Sequence, residues 1–531
     1  MLQLSNLRLP LGADREALEK KTARLLRVPR SALGELRVVR QSVDARGRGE
    51  PCLVYTLHVS VADEDAVLRR APANVRPLER TAYRFPEVGR WSGPPPLVVG
   101  MGPAGLFAAL FLARAGIPCT VIERGRPVEE RTADVERFWT DGTLDPASNV
   151  QFGEGGAGTF SDGKLTTGTH DGRIPAVLET LVAFGAPADV AWSFRPHVGT
   201  DVLRRVVRSL REELVRLGCE VRFSTCLTGL ETAGGRLTAA ELTGPDGRER
   251  RETSALVLAP GHSARDTFRM LRRAGLPMEP KPFALGVRIE HHQEAISRAQ
   301  YGAAWDRLPP SDYHLACHLP DGRSAFSFCV CPGGLVVASA SEPGRLVTNG
   351  MSYRARDGEN INGGFLVGLT PEDYPGTDPL AGVRFQEQWE EAAYRLGGGG
   401  FRAPAQLVGD FLAGRASAAG GAVRPTYRPG VTWTALDGCL PPAVARTLRA
   451  ALPVLDRRVH GFAAPEAVLT GIESRSSSPV RVLRDEGCQS AVRGVFPCGE
   501  GCGYAGGIVS AAVDGIRVAE AVARGAKKSP F

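Results

Sequence analysis

Apolar and polar residues alternate through Leu2 to Leu9, Leu36 to Val43 and Leu53 to Val61, the period-two pattern of half-buried strands. Asp14 to Leu26 instead carries its apolar residues at helical spacing behind an acidic start. These segments predict a small α+β unit over residues 1–90, with a turn at Ala45-Arg46-Gly47-Arg48-Gly49. Trp91-Ser92-Gly93-Pro94-Pro95-Pro96 follows; prolines cannot join a sheet interior, so a domain boundary is expected there. The texture then changes. A short apolar run, Leu97-Val98-Val99, leads through glycines into an apolar helix, Leu106 to Ala115, and a second strand, Cys119 to Ile122. That is the opening βαβ unit of a parallel sheet. A helix over Thr200 to Leu217 precedes strands at Glu220 to Leu230, Leu237 to Leu242 and Ala255 to Ala259. Residues 282–454 show short strands, many glycines and few long helical patterns, which predicts an inserted antiparallel domain. Strand Gly494 to Pro497, a glycine cluster and helix Ile508 to Val522 close the pattern.

The first glycine turn carries chemistry. In Gly100-Met101-Gly102-Pro103-Ala104-Gly105, Gly100 permits the tight turn, Gly102 lets backbone approach a pyrophosphate, and Gly105 lets helix pack on strand. The second strand ends in Glu123, where a carboxylate would accept hydrogen bonds from adenosine ribose hydroxyls. Glu123 argues against a 2′-phosphate, while Arg124 beside it keeps NADP open. Gly153 to Lys164 is a loop with five glycines, Gly155, Gly156 and Gly158 among them, two acids, two hydroxyls and a lysine, suited to lying along phosphate. Lys164 either neutralises a cofactor there or is a surface residue after a turn. Arg475, in Glu473-Ser474-Arg475-Ser476, either clamps a substrate anion or closes a structural ion pair. These two are the candidate catalytic residues.

The late segment Gly494-Val495-Phe496-Pro497-Cys498-Gly499-Glu500-Gly501 resembles the strand that ends in Gly-Asp in FAD proteins of the glutathione-reductase class. The resemblance implies that Gly499 and Glu500 meet the flavin ribitol, and that Gly506, Gly507 and Ile508, at a helix start, turn free amides toward the flavin ring. Ala255 to Gly261 is similar to the adenine-side strand of those proteins, with Gly261 at its end. Together with Gln151 to Leu165, Gly261 to Phe268, Phe328 to Gly334 and Glu473 to Arg481, these segments resemble the bacterial FAD-dependent dehydrogenases of unassigned substrate. The resemblance implies an α/β fold: a discontinuous Rossmann-type FAD-binding domain in two parts, 91–281 and 455–531. Between them lies an antiparallel β-rich substrate domain, 282–454, and before them the α+β domain, 1–90. It also implies an FAD-dependent oxidoreductase passing hydride between flavin N5 and an unidentified substrate.

Charge adds one alternative. Residues 1–90 hold 17 Lys and Arg against 11 Asp and Glu, while the remainder is balanced at 48 against 47. That excess is either a solvated basic face or a docking surface for RNA or another acidic partner, which would make this a flavin-bearing RNA-binding or RNA-modifying protein. The start lacks a secretory pattern, so a cytoplasmic location is expected. Pro96 to Ala113 has the length of a membrane span, but three glycines and Pro103 argue for a soluble core. Eleven cysteines are too sparse for a disulfide framework and are read as reduced thiols. Cys329-x-Cys331 and Cys498-x-x-x-Cys502 are read as small hydrophobes rather than redox pairs. A metal site at His314, Cys317 and His318 is rejected, and His262 is read as structural.

Overall fold

The apolar run at 96–113 is a buried strand, turn and helix. In the computed structural model, which describes residues 1–46, 49–70, 73–78 and 83–526, Leu97–Val99 is the central strand of a five-stranded parallel sheet. The order is Val495–Pro497, Leu256–Leu258, Leu97–Val99, Thr120–Ile122, Glu220–Arg222. All four pairings are parallel. Four of these strands are buried at every position, hence their continuous apolar or uncharged sequences. The chain runs outward on one side from Leu97–Val99 and returns on the other, so the crevice at this strand's C-terminal end is the topological switch point.

Helix Pro103–Arg114 covers one face together with Ile508–Ala523 and Thr200–Arg216. The first two approach so closely that a Cβ on Gly515 would lie 2.2 Å from the Ala104 carbonyl oxygen. Helix Arg265–Arg273 and the antiparallel sheet Cys226–Ala233, Arg236–Gly244, Gly247–Glu252 cover the other face. Among the described residues no helix is long and apolar enough to cross a membrane.

The first strands form a separate four-stranded sheet in the order Leu33–Asp44, Cys52–Val61, Leu2–Pro10, Val75–Pro77. Asp14 caps the helix Arg15–Leu26 by accepting from Ala17 N at 2.8 Å, and Leu2, Leu4, Leu57 and Val59 fill the core beneath it. Within the turn expected at 45–49, Gly47 and Arg48 lie outside the described residues. Residues 83–91, which the proline boundary assigns largely to this unit, pack with the parallel sheet instead. Tyr83 and Phe85 lie 6.1 and 5.8 Å from the Phe111 ring, and Tyr83 OH donates to Glu520 at 2.8 Å.

The second large sheet has seven strands, in the order Ala316–His318, Ser324–Cys331, Asn360–Leu369, Phe283–His292, Val468–Glu473, Ala403–Leu407, Val431–Trp433. All its pairings are antiparallel but the last. Two features differ from expectation. Val468–Glu473 lies beyond residue 454, so the sheet reaches further along the chain than its texture suggests. Long helices are also present, Ala381–Leu396 and Pro442–Asp456, the latter with Pro453 inside it. Prolines at both ends of that segment read as breakers, whereas Pro442 sits at the first turn, where its missing N–H costs nothing.

Candidate cofactor site

The switch-point crevice opens into a cavity of about 310 Å3 between the two large sheets. Its floor is the first glycine turn. Gly100 has φ +97°, and a Cβ there would stand 2.2 Å from the Ala259 carbonyl oxygen, so neither the turn nor the contact with the neighbouring strand end admits a side chain. Gly105 is set back from the cavity; its Cβ would fall 1.9 Å from the Gly100 oxygen, which closes the helix onto the strand. Gly102 differs. It caps the helix Pro103–Arg114, and the nearest atom to a Cβ there, among the described residues, is Gly156 Cα at 3.8 Å. Space lies open in front of the helix's free amides.

A second helix N-terminus meets the same cavity. Gly506, Gly507 and Ile508 line it, with nothing described within 4 Å of a Cβ on Gly506. Two helix dipoles thus present positive ends to one space, the arrangement that favours an anion. Gly261 lines the same wall in open space, and Pro103, Ala104, Gly156, Gly158 and Glu500 line it too. Glu500 faces His262, whose Nδ1 is 3.4 Å from the carboxylate and whose buried Nε2 has no hydrogen-bond partner among the described residues.

Glu123 reaches the cavity while tying three loops together: its carboxylate accepts from Met101 N at 2.8 Å, Gly125 N at 2.9 Å and Gly153 N at 3.0 Å. Besides Gly105, three expected residues stand outside the cavity lining. Arg124 turns away to pair with Asp266 at 2.8 Å and lies 4.4 Å over the Phe152 ring. Gly155 packs on Thr159 and Val207, and Gly499 on Ala104. The glycine loop itself is held by a residue the sequence reading missed. Arg131, fully buried on helix Val128–Asp141, donates to the carbonyls of Asn149, Val150, Gly153, Glu154 and Gly156. Burial pushes its pKa down to about 9.

The opposite wall comes from Phe328, Cys329, Glu473 and Arg475 on or just after strands of the seven-stranded sheet, from Asn349 on a strand of a separate two-stranded sheet, and from Lys164 at the end of the glycine loop. Lys164 Nζ is 3.8 Å from Asp312, and burial lowers its pKa against the pull of Asp162. Arg475 has every donor engaged: Nε and Nη2 on Glu390, Nη2 also on Glu342, and Nη1 on Ser263 and Ser341. It is a structural ion pair; the geometry leaves it no donor for a substrate. Glu390, shared with Arg265, is held well below the usual carboxylate range by these two guanidinium groups, which outweigh its burial. Gln151, bridging Ser263 and Ser339, also lines the cavity and went unnoticed as a site residue.

A Clostridium beijerinckii protein described as uncharacterised is 45% identical over 529 residues, covering 98% of each chain. The chain belongs to that protein's family. Residues 95–135 match an FAD binding domain, 282–476 match an FAD-dependent protein C-terminal domain, and 1–60 match a domain of unknown function. Among solved structures, quinol fumarate reductase FrdA of E. coli covers 81% of this chain and 69% of its own, at 12% identity and TM-score 0.38. CtdE in complex with FAD covers 82% and 84%, at 12% identity and TM-score 0.32. Overlaps of that size carry no weight for what this chain does.

FAD is the family's cofactor in this chain, and the site fits it. The open cradle at Gly102, the two helix N-termini and the orphaned His262 nitrogen are what a bound dinucleotide would fill, oppose and satisfy.

Proposed function

We propose that this protein is an FAD-dependent oxidoreductase whose substrate lies between the FAD cavity's glycine side and the wall formed by the seven-stranded sheet. FAD, when bound, supplies two-electron hydride chemistry. The chain supplies position and charge. Gly102 and the amides after it hold the pyrophosphate; Glu123 takes the adenosine end, and Glu500 the ribitol. The amides at Gly507 and Ile508 stabilise negative charge where the ring is reduced. Lys164 contributes a half-buried cation at the substrate edge, and Phe328 limits water on that side. The observation that carries this reading is the convergence on one cavity of two helix N-termini and a facing wall that carries Lys164 and Phe328.

Among the described residues the parallel strands that lead through a glycine turn into a helix, as at 97–114, 256–273 and 495–523, all belong to the one five-stranded sheet beside this cavity. The reductant therefore works at the flavin face, without a nicotinamide domain of its own. The purified protein is expected to be yellow and to release FAD, not FMN, on denaturation. Anaerobic rapid mixing with NADH and NADPH should bleach the flavin slowly or without saturation. Fast, saturable bleaching together with a nucleotide site remote from the cavity would overturn the one-site reading.

A further inference from the structure

Strand Ser324–Cys331 loses register with its neighbour between Phe328 and Cys331, and Cys329 sits in that break with φ of 41°, a region uncommon for residues other than glycine. The break turns Cys329 into the cavity wall while Cys331 stays fully buried behind it. The Cys331 thiol folds back on its neighbour, donating to the Cys329 carbonyl at 3.3 Å. Arg288, on strand Phe283–His292, reaches both residues, 2.9 Å from Cys329 O and 3.7 Å from Cys331 Sγ.

The surroundings activate one thiol of the pair. The adjoining Cys331 thiol, then Arg288 and Lys164, pull Cys329 below the ordinary thiol range against burial and the Glu473 carboxylate. Cys331 is pushed up by burial, by Cys329 and by Asp162. The other cysteines spaced closely along the chain show the contrast. Cys498 lines the same cavity, but burial and the Asp514 carboxylate push its thiol up, and Cys502 is pushed up to about 12. What sets the first pair apart is its placement: one thiol in the cavity wall at a break in the strand, with the second folded back onto the same residue, as a dithiol facing a cofactor requires.

We propose that Cys329 and Cys331 form a redox-active dithiol that exchanges an electron pair with FAD bound in the same cavity. Oxidation removes two protons and two electrons from the thiols as one S–S bond forms, and the electrons and protons pass to FAD, giving its two-electron-reduced form. Run in reverse, reduced FAD returns them and the S–S bond breaks. The inference rests on the placement of FAD in this cavity, so its test has one arm that does not need it.

In that arm, holoprotein is equilibrated in glutathione redox buffers and quenched with N-ethylmaleimide, and the peptide holding both cysteines is weighed. Two alkyl groups at the reducing end and a peptide two hydrogens lighter at the oxidising end are expected. Full alkylation at every buffer, or glutathione adducts alone, would overturn the pair. In the second arm, oxidised holoprotein is titrated anaerobically with dithionite. Four electron equivalents per FAD are expected for the native chain and two for Cys329→Ser and Cys331→Ala, with the flavin absorbance of each variant reporting its fold. Two equivalents in the native chain would overturn the coupling to FAD. Normal FAD occupancy in Gly102→Val would refute the cavity placement separately, leaving the glutathione arm to score the dithiol.

Discussion

Arg131 shows how much one side chain can organise. Its five N–H groups end on five carbonyls of the loop that faces Gly102, so the loop's shape depends on a planar donor fork. Lysine keeps the charge but offers three donors from a point, leaving buried carbonyls unpaired at about 1–3 kcal/mol each. Arg131→Lys should therefore lower FAD occupancy at least tenfold while circular dichroism stays near that of the native chain; unchanged occupancy would show that the loop holds itself. Glu154 in that loop gives a pH test. Burial raises its carboxyl to about 7 despite Arg211 and the Val128 amide, and Oε1 has no partner among the described residues. The folded chain thus keeps a proton that the unfolded chain has lost above about 4.5. This group's contribution to stability is fully present below that value and falls away as pH rises through about 7. Glu154→Gln removes the dependence, so its stability relative to the native chain should rise by about 1–3 kcal/mol between pH 5 and pH 8 in urea unfolding. A pH-independent difference would place the proton elsewhere.

At the scale of the element, the first glycine turn separates two roles that a motif alone runs together. Gly102→Val puts its side chain into open space and should give a folded protein that retains no FAD. Gly105→Val forces backbone away from the Gly100 oxygen and should destabilise the chain by about 1–3 kcal/mol or more, as overpacking does. Equal thermal stability of the two variants would contradict the assignment. This turn was legible in the sequence because strand, glycines and helix are contiguous there. So were the strand Val495–Pro497 and the helix Ile508–Ala523, each within a residue or two of its expected bounds. Arg131 was not legible: it lies on a helix with no motif, and its role appears only when Asn149 to Gly156 folds back over it. Arg475 was half legible, since sequence shows an arginine among serines but not Glu390, 85 residues earlier, waiting beside it. Helix Pro442–Asp456 was hidden by prolines at its first turn and in its interior.

For the whole molecule, some of the first unit's basic side chains are paired within the unit, which leaves its net excess as it was. Arg8 and Arg46 pair with Asp44, and Arg30 with Glu16 and Glu19. The unit touches the rest through Gln41, whose amide donates to Trp192 O at 3.0 Å, and through Arg40, 4.1 Å over the Phe194 ring. Because residues 83–91 belong with the parallel sheet, deletion of 1–78 rather than 1–90 should spare FAD binding. Gel retardation of RNA at two salt concentrations, with and without that deletion, then decides whether the remaining charge is a docking surface; retention lost with the unit would establish one. The two helix starts that face the cavity carry a further consequence, for time rather than space. Gly102 and Gly507 stand about 400 residues apart, so a ribosome adding roughly 5–20 residues per second makes the second half of the cradle on the order of 20–80 seconds after the first. Over that interval the nascent chain has a pyrophosphate turn but no partner helix and no edge strand at Val495–Pro497. FAD is therefore expected to be captured late in biosynthesis, and chains truncated before Gly507 are expected to stay colourless.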